Sequence, residues 1–176
     1  HFIYLIILII NIIIMKKINE KYVPKSLSKE DKKKQIKSIK EQTIRPKLDS
    51  FKSKRSNHVI KFEKTYGYKI TEKTKIAKDL LSMAGIKKVI EKGNAAYFSG
   101  GSRPNQTPAS WSNARLASVL TFGKAADVDK DILLKYGKGD ILKKAIEKYT
   151  HKMPDGKLMS GKKHNKNSKE VKIINK

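Results

Sequence analysis

Residues Lys92 to Ala126 read KGNAAYFSGGSRPNQTPASWSNARLASVLTFGKAA. Glycine, alanine and serine are frequent in this segment, which also holds the only tryptophan, Trp111. Lysine, isoleucine and asparagine, the amino acids that AT-rich codons encode, dominate the chain around it. Base composition therefore does not account for the segment, and its composition indicates selection for structure or function.

A glycine-rich loop leads into a helix within this segment. The Gly100 to Ser102 run permits positive φ, and the Arg103-Pro104 step favours an extended backbone. Thr107 is placed to cap the helix that follows, and proline suits a first helical position. Apolar spacing predicts that this helix runs from Pro108 to about Phe122 and stops at Gly123.

The loop admits two interpretations. In the first, the backbone N–H groups at the helix start, the helix dipole and Arg103 bind an anion such as phosphate, with Arg115 as a second contact. In the second, the loop is a rigid turn, Trp111 fills the core and Arg115 pairs with a carboxylate such as Asp127 or Asp129. The loop has neither the Walker nor the dinucleotide-binding pattern, which favours the second interpretation.

The charge balance points to a polyanionic partner. The chain has 41 Lys and Arg residues against 16 Asp and Glu residues, a formal net charge of +25. Such a surplus predicts phosphate contacts to DNA or RNA without base reading. The aromatic rings beside the loop, Tyr97 and Phe98, either stack on bases or pack in the interior. The candidate anion-binding and nucleic-acid-binding residues are Arg45, Lys52, Lys54, Arg55, Lys92, Tyr97, Gly100, Gly101, Ser102, Arg103, Thr107 and Arg115, and the structural candidates are Trp111, Pro104, Pro108 and Phe122.

Periodicity elsewhere predicts a mainly α protein, a small single helical domain with a basic, weakly ordered N-terminal arm and C-terminal tail. The first helix is lysine-dense, with Ser26 or Ser28 as its cap and few apolar anchors, and we expect it to be exposed. The segment Lys47 to Arg55 is either an extended basic strap or a solvated linker. The predicted helices run from Ser26 to about Thr43, from Ser56 to Gly67, from Ile76 to Gly85, from Ile86 to Gly93, from Pro108 to about Phe122, from Val128 to Gly137 and from Asp140 to Tyr149.

Four segments follow from these patterns. Residues 1–14 are uncharged and apolar, too short to span a membrane, and we expect a translated leader ahead of a true start at Met15. Residues 15–55 form the basic N-terminal helix and strap, 56–149 the helical core domain, and 150–176 a basic tail. In that tail, Met153 to Gly156 is a turn signal, with Leu158 and Met159 on the return arm of a possible hairpin.

Catalytic and metal signatures are absent from the pattern. The chain has no cysteine, which excludes disulfides and thiolate chemistry. No two of the four histidines, His1, His58, His151 and His164, share metal-ligand spacing on one element. The carboxylates suit helix ends and ion pairs, and no serine lies in a nucleophile elbow. We therefore expect neither an enzyme nor a metal or cofactor site.

Three strings carry a resemblance to known proteins: GSRPNQTPASWSNARLASVL at Gly101 to Leu120, YVPKSLSKEDKKKQ at Tyr22 to Gln35, and FKSKRSNHVIKFEKTYG at Phe51 to Gly67. From Tyr22 to about Tyr136 the chain resembles an uncharacterised family of small basic proteins from giant nucleocytoplasmic DNA viruses, of the mimivirus and phycodnavirus kind. The resemblance implies a viral origin and transfers no catalytic residue. The tail, His151 to Val171, is similar to a short module at the ends of otherwise unrelated proteins of large viruses and phages.

Together these patterns predict a viral accessory or virion-internal protein that binds nucleic acid through phosphate contacts. We expect it in the virion or in the viral factory of the host cytoplasm, not secreted, with other virion proteins as further partners. If the chain starts at Met15, no membrane association is expected. The alternative is a structural protein-interaction module of the particle, in which the loop docks a partner and the lysines are incidental.

Overall fold

A computed structural model of the chain describes residues 18–173. The expectations about a leader at residues 1–14 and a start at Met15 lie outside the described residues. The prediction of a mainly helical protein is confirmed. In chain order the elements are a 3-10 turn (Glu20–Tyr22), α1 (Lys29–Lys40), α2 (Asn57–Tyr66), α3 (Lys73–Asp79), α4 (Met83–Gly100), α5 (Pro108–Leu120), α6 (Lys124–Val128), α7 (Lys130–Tyr136), α8 (Gly139–Tyr149), β1 (Thr150–Lys152) and β2 (Leu158–Ser160).

The described chain groups into two compact units. The first, the N-terminal unit, contains residues 18–53 together with Tyr97–Thr107, so the central loop groups with the N-terminal segment. The second, the main unit, contains Lys54–Ala96 and the chain from Pro108 onward. No helix between residues 18 and 173 is long and apolar enough to cross a membrane.

In the N-terminal unit, α1 begins after Ser28, whose hydroxyl oxygen accepts a hydrogen bond from the Asp31 backbone N–H at 3.2 Å. Of the two predicted caps, Ser28 is therefore the one used. The expectation that α1 is exposed is wrong for one of its faces. Asp31, Gln35 and Ser38 are 7%, 0% and 6% exposed, and together they form a buried polar stripe along the helix. Apolar spacing in the sequence does not indicate this stripe, because its side chains are polar.

The main unit holds the hydrophobic core. Phe62 on α2 is fully buried and packs against Tyr66 and Tyr68, with ring centroids 4.9 and 5.6 Å apart. As predicted, α2 ends at Gly67, which has φ +75°. The other helices contribute aliphatic side chains to this core. The aliphatic side chains of this core include those of Ile76, Val89, Leu116, Leu120, Leu133 and Ile141.

Two predicted helix ends are wrong. The sequence suggests that helices stop at Gly85 and Gly93, but both lie inside the 18-residue helix α4. Each marks a close approach: a Cβ on Gly85 would lie 2.7 Å from the Cβ of Tyr136, and one on Gly93 would lie 2.7 Å from the Cα of Ser112. These glycines are therefore packing positions and not caps. The predicted helix from Ile86 to Gly93 is therefore only part of the much longer α4.

Smaller differences concern helix ends. α5 begins at Pro108 as predicted, but it ends at Leu120, and the turn out of it uses Phe122 with φ +53° in place of Gly123. Val128, expected in the core, is 66% exposed. Asp140 does not cap α8, because the N-cap position belongs to Lys138.

The predicted hairpin is present in the tail. β1 and β2 pair antiparallel, with His151 opposite Met159 and Lys152 opposite Leu158. Gly156, with φ +85°, allows the turn between them. The chain then returns to the hairpin: the Ser160 N–H donates to the Lys169 carbonyl and the Val171 N–H to the Leu158 carbonyl, both at 2.8 Å. The sequence pattern does not predict this return.

Candidate nucleic-acid interface

The central loop is held by the N-terminal segment. Asn105, at φ +57°, accepts a hydrogen bond from the Leu48 N–H at 2.7 Å through its side-chain oxygen. Its amide nitrogen donates to the carbonyls of Leu48 and Phe51, both at 2.9 Å. Leu48 is 1% exposed, so this part of the predicted strap is anchored and is not a solvated linker.

Helix α1 reaches the same loop through a buried amide. The Gln35 side-chain nitrogen donates to the Ser102 carbonyl at 3.0 Å and to the Tyr22 carbonyl at 3.1 Å. One turn earlier on the same face of α1, Asp31 accepts hydrogen bonds from the Ser50 hydroxyl at 2.6 Å and from the Ser50 N–H at 3.1 Å. These bonds, with a smaller contribution from Lys34, lower the pKa of the Asp31 carboxyl. Polar contacts thus hold α1 to the loop.

Arg45 is an interior residue. It is 5% exposed, and its guanidinium donates to the carbonyls of Ser38 at 2.8 Å, Tyr97 at 2.7 Å and Thr43. The guanidinium carbon also lies 4.7 Å from the centroid of the Tyr97 ring. Burial lowers the pKa of Arg45. The prediction that Arg45 contacts nucleic acid is therefore contradicted, because the side chain is buried and both of its terminal nitrogens donate to carbonyls inside the protein.

Tyr97 is equally enclosed. Its side chain is 0% exposed, its hydroxyl donates to the Gln106 carbonyl at 2.9 Å, and the same hydroxyl accepts the Arg45 N–H at 2.8 Å. Stacking of Tyr97 on nucleic-acid bases is thus contradicted. The half-buried Phe98 packs edge-on against this ring at 5.0 Å.

Arg115 pairs with an acid, as the second interpretation of the loop predicts. Its guanidinium makes two hydrogen bonds to the fully buried Asp129 carboxylate, at 2.8 and 2.9 Å. The Lys92 ammonium contacts the same carboxylate at 3.1 Å. The expectation that Arg115 is an anion contact is contradicted, since both of its hydrogen bonds to Asp129 are made inside the protein. Lys92 shares the same carboxylate but its side chain is 50% exposed, so its role as an anion contact stays a prediction.

Of the loop residues, Arg103 alone keeps the character expected of an anion contact. It is exposed and makes no hydrogen bond or ion pair with any residue in the 18–173 range.

Gly101, with φ +83°, and Ser102 are buried, and Gly100 is the last residue of α4. Among the other candidates, Thr107, Lys52 and Lys54 are exposed, Pro104 is buried, Trp111 is half-buried, and Arg55 pairs with Glu63 at 2.5 Å.

The lysine-rich surface of α1 is a site that the candidate residues omit. We call the lysine face the set of exposed side chains opposite the buried polar stripe: Lys29, Lys33, Lys34, Lys37 and Lys40. Lys33, Lys37 and Lys40 line a shallow groove of about 310 Å³ together with Ile36 and Glu41. Their i, i+4, i+7 spacing places them in one row on a helix, and this signal was available in the sequence.

Acids neutralise little of this face. Lys34 lies 3.8 Å from Asp31, whose carboxylate already accepts two hydrogen bonds from Ser50. Lys37 lies 3.9 Å from Glu41, and an exposed ion pair at such a distance contributes little. Lys29, Lys33 and Lys40 have no ion pair with any described residue. The row from Lys33 to Lys40 extends about 10 Å along the helix axis.

The structure also brings together two histidines that are separate in sequence. The rings of His151 and His164 lie 5.6 Å apart, centroid to centroid, in an edge-to-face arrangement. No group of three or more His, Cys, Asp or Glu residues suited to a metal ion occurs in the described part of the chain. Sequence spacing alone does not reveal the histidine pair, because a turn and a loop separate its members.

These features define a small, basic, mainly helical protein with interior arginines and an exposed row of lysines. The chain belongs to a family of unknown function, DUF5824, which it matches over residues 18–135. The lysine face and the central loop lie inside the matched region, and the C-terminal hairpin lies beyond it. Comparison with curated proteins gives no match. Comparison with solved structures gives none either.

Proposed function

We propose that this protein binds nucleic acid through phosphate contacts, without reading base sequence and without catalysing a reaction. The observation that supports the proposal is the division of α1 into a buried polar stripe and an exposed lysine face. The stripe fixes the helix to the central loop, so the lysines are presented by an anchored element. Duplex DNA carries one charge per about 1.7 Å, so the 10 Å row faces roughly six phosphate charges.

The net charge of the chain supports the same proposal. A formal charge of +25 gives a positive field that draws polyanions toward the surface and raises their association rate. Lysine suits contacts that do not specify sequence, because its ammonium is a point charge without the fork geometry that reads guanine. The central loop has a supporting role in this proposal, and Arg103 supplies one additional phosphate contact.

We further propose that the chain is a viral protein of a giant nucleocytoplasmic DNA virus, acting in the virion or in the viral factory of the host cytoplasm. The resemblance of its three sequence strings supports this origin, as does a composition rich in Lys, Ile and Asn. Other virion proteins are then its further partners. Mass spectrometry of purified virions from a virus encoding this chain tests the location in the virion. Absence of the chain from the particle would contradict a virion role.

Binding to labelled duplexes at several salt concentrations tests the function. Each phosphate contact contributes about −0.9 to the slope of log affinity against log salt, so the slope counts the contacts. In a variant with Lys33→Gln, Lys37→Gln and Lys40→Gln, we expect the slope to flatten by about 2 to 3 units. Scrambling the duplex sequence should leave affinity unchanged.

A second triple variant is the matched control. Lys87→Gln, Lys88→Gln and Lys144→Gln remove the same charge from exposed positions of the main unit, and we expect a much smaller change of slope. Equal effects of the two variants would contradict an interface on α1. Absence of binding to DNA and RNA at ~50 mM salt would refute the function itself and favour the alternative, a protein-interaction module of the particle.

A further inference from the structure

His151, in the C-terminal hairpin, has one ring nitrogen with a hydrogen-bond partner and one without. The Nδ1 atom of His151 lies 2.7 Å from the carbonyl oxygen of Gly161. A carbonyl only accepts, so Nδ1 carries the proton and Nε2 presents its lone pair. That Nε2 is enclosed and has no hydrogen-bond partner among the described residues. A buried acceptor without a partner costs free energy, so this atom calls for an explanation.

The arrangement is the one that metal-binding histidines show. In such residues one ring nitrogen donates to a backbone carbonyl, which fixes the tautomer and the ring orientation, and the other nitrogen binds the metal. His151 has both features: its Nδ1 contacts the carbonyl of Gly161, just after β2, and its Nε2 has no partner among the described residues.

Two further potential ligands lie near the His151 side chain. The His164 ring packs against the His151 ring at 5.6 Å, and His164 is exposed, so rotation about its side-chain bonds moves its nitrogen without disturbing the core. Met159 is directly opposite His151 in the antiparallel register, and directly opposite residues project from the same face of a sheet. Two imidazoles and one thioether therefore share this face of the hairpin.

We propose that His151, His164 and Met159 form a binding site for Cu(I). Imidazole and thioether are ligands of copper, and thioether selects Cu(I) over harder cations. Cu(I) also accepts a low coordination number, so it needs no cluster of three or more acidic or imidazole ligands. The charge of +25 on the chain repels a divalent ion twice as strongly as a monovalent one, which favours Cu(I) over Zn²⁺.

The test uses the full chain with His1→Ala and His58→Ala, which leaves the hairpin imidazoles as the only two histidines. Cu(I) is supplied under ascorbate, and the protein competes for it with bicinchoninate, whose copper complex is coloured. The chain has no cysteine, so no thiolate contributes to the result. We expect one equivalent bound, and at least about tenfold weaker binding after His164→Ala or Met159→Leu.

Met153→Leu, in the turn of the same hairpin, is the matched control and should bind as the parent does. Circular dichroism and the hairpin amide signals in NMR confirm that each variant is folded.

In ¹H–¹⁵N spectra of the imidazoles, Cu(I) should shift the Nε2 signal of His151 while Nδ1 keeps its proton. The proposal is overturned by a failure to compete with bicinchoninate, by undiminished binding in His164→Ala, by equal binding of the two methionine variants, or by loss of the proton from Nδ1 of His151. It does not depend on nucleic-acid binding.

Discussion

At the scale of single residues, the two arginines Arg45 and Arg103 have opposite tasks, although the sequence presents both as candidate phosphate contacts. Arg45 is 5% exposed and its donors bind backbone carbonyls, whereas Arg103 is exposed and without a polar partner in residues 18–173. Neither difference is visible in the local pattern, since each arginine precedes a proline. What separates them is burial, which depends on residues distant in sequence.

Replacing the two arginines separately tests this distinction. Arg45→Ala leaves the Tyr97 carbonyl without its side-chain donor in a buried place, which costs about 1 to 3 kcal/mol. It also removes the hydrogen bonds to the carbonyls of Ser38 and Thr43, at about 1 kcal/mol each, although the Ser38 carbonyl still accepts the Thr43 N–H. We therefore expect the free energy of unfolding, measured with urea, to fall by about 2 to 4 kcal/mol. Arg103→Ala, as the exposed control, should change it by less than about 0.5 kcal/mol. Equal losses in the two variants would contradict the interior role of Arg45.

At the scale of elements, the contact between α4 and α5 depends on a glycine. A Cβ on Gly93 would lie 2.7 Å from Ser112 Cα, a backbone atom that cannot move without shifting α5. Alanine favours a helix over glycine by about 1 kcal/mol, but overpacking costs about 1 to 3 kcal/mol. The difference predicts that Gly93→Ala lowers the free energy of unfolding by up to about 2 kcal/mol in urea titrations.

Gly100, the last residue of the same helix, provides the control. A Cβ there would have nothing within 4 Å in the described part of the chain, so Gly100→Ala should be neutral or stabilising. A stabilising effect at both positions would show that α4 and α5 tolerate separation, and that Gly93 is only a weak helix former.

The same elements show how far sequence reasoning reaches. Apolar spacing locates α2, the start of α5 and the turn of the hairpin, because these depend on neighbours in the chain. It divides α4 at its glycines, because a close approach between distant helices leaves no local signal. For the candidate nucleic-acid interface, the lysine content of the sequence predicts a polyanionic ligand. The spacing places lysines in a row on α1, and the buried stripe shows that this row lies on the exposed side of the helix.

At the scale of the whole molecule, the charge that suits a polyanion also opposes folding. With a net charge of +25 the folded chain brings like charges close together, and this repulsion is screened by salt. The Debye length falls from about 30 Å at 0.01 M to about 8 Å at 0.15 M salt. We therefore expect the melting temperature to rise with sodium chloride over this range at constant pH.

A charge-reversed variant shows whether the lysine face contributes to this repulsion. Lys33→Glu, Lys37→Glu and Lys40→Glu each replace a positive charge by a negative one at an exposed position of α1, which lowers the net charge by two per substitution, and they leave the buried stripe intact. Because less repulsion then remains to be screened, the melting temperature of this variant should start higher in dilute buffer and rise less with salt. A melting temperature of the parent protein that falls with salt would mean that its ion pairs outweigh the lysine surplus. The positive field on which the proposed binding to phosphates depends would then be much weaker than the net charge implies.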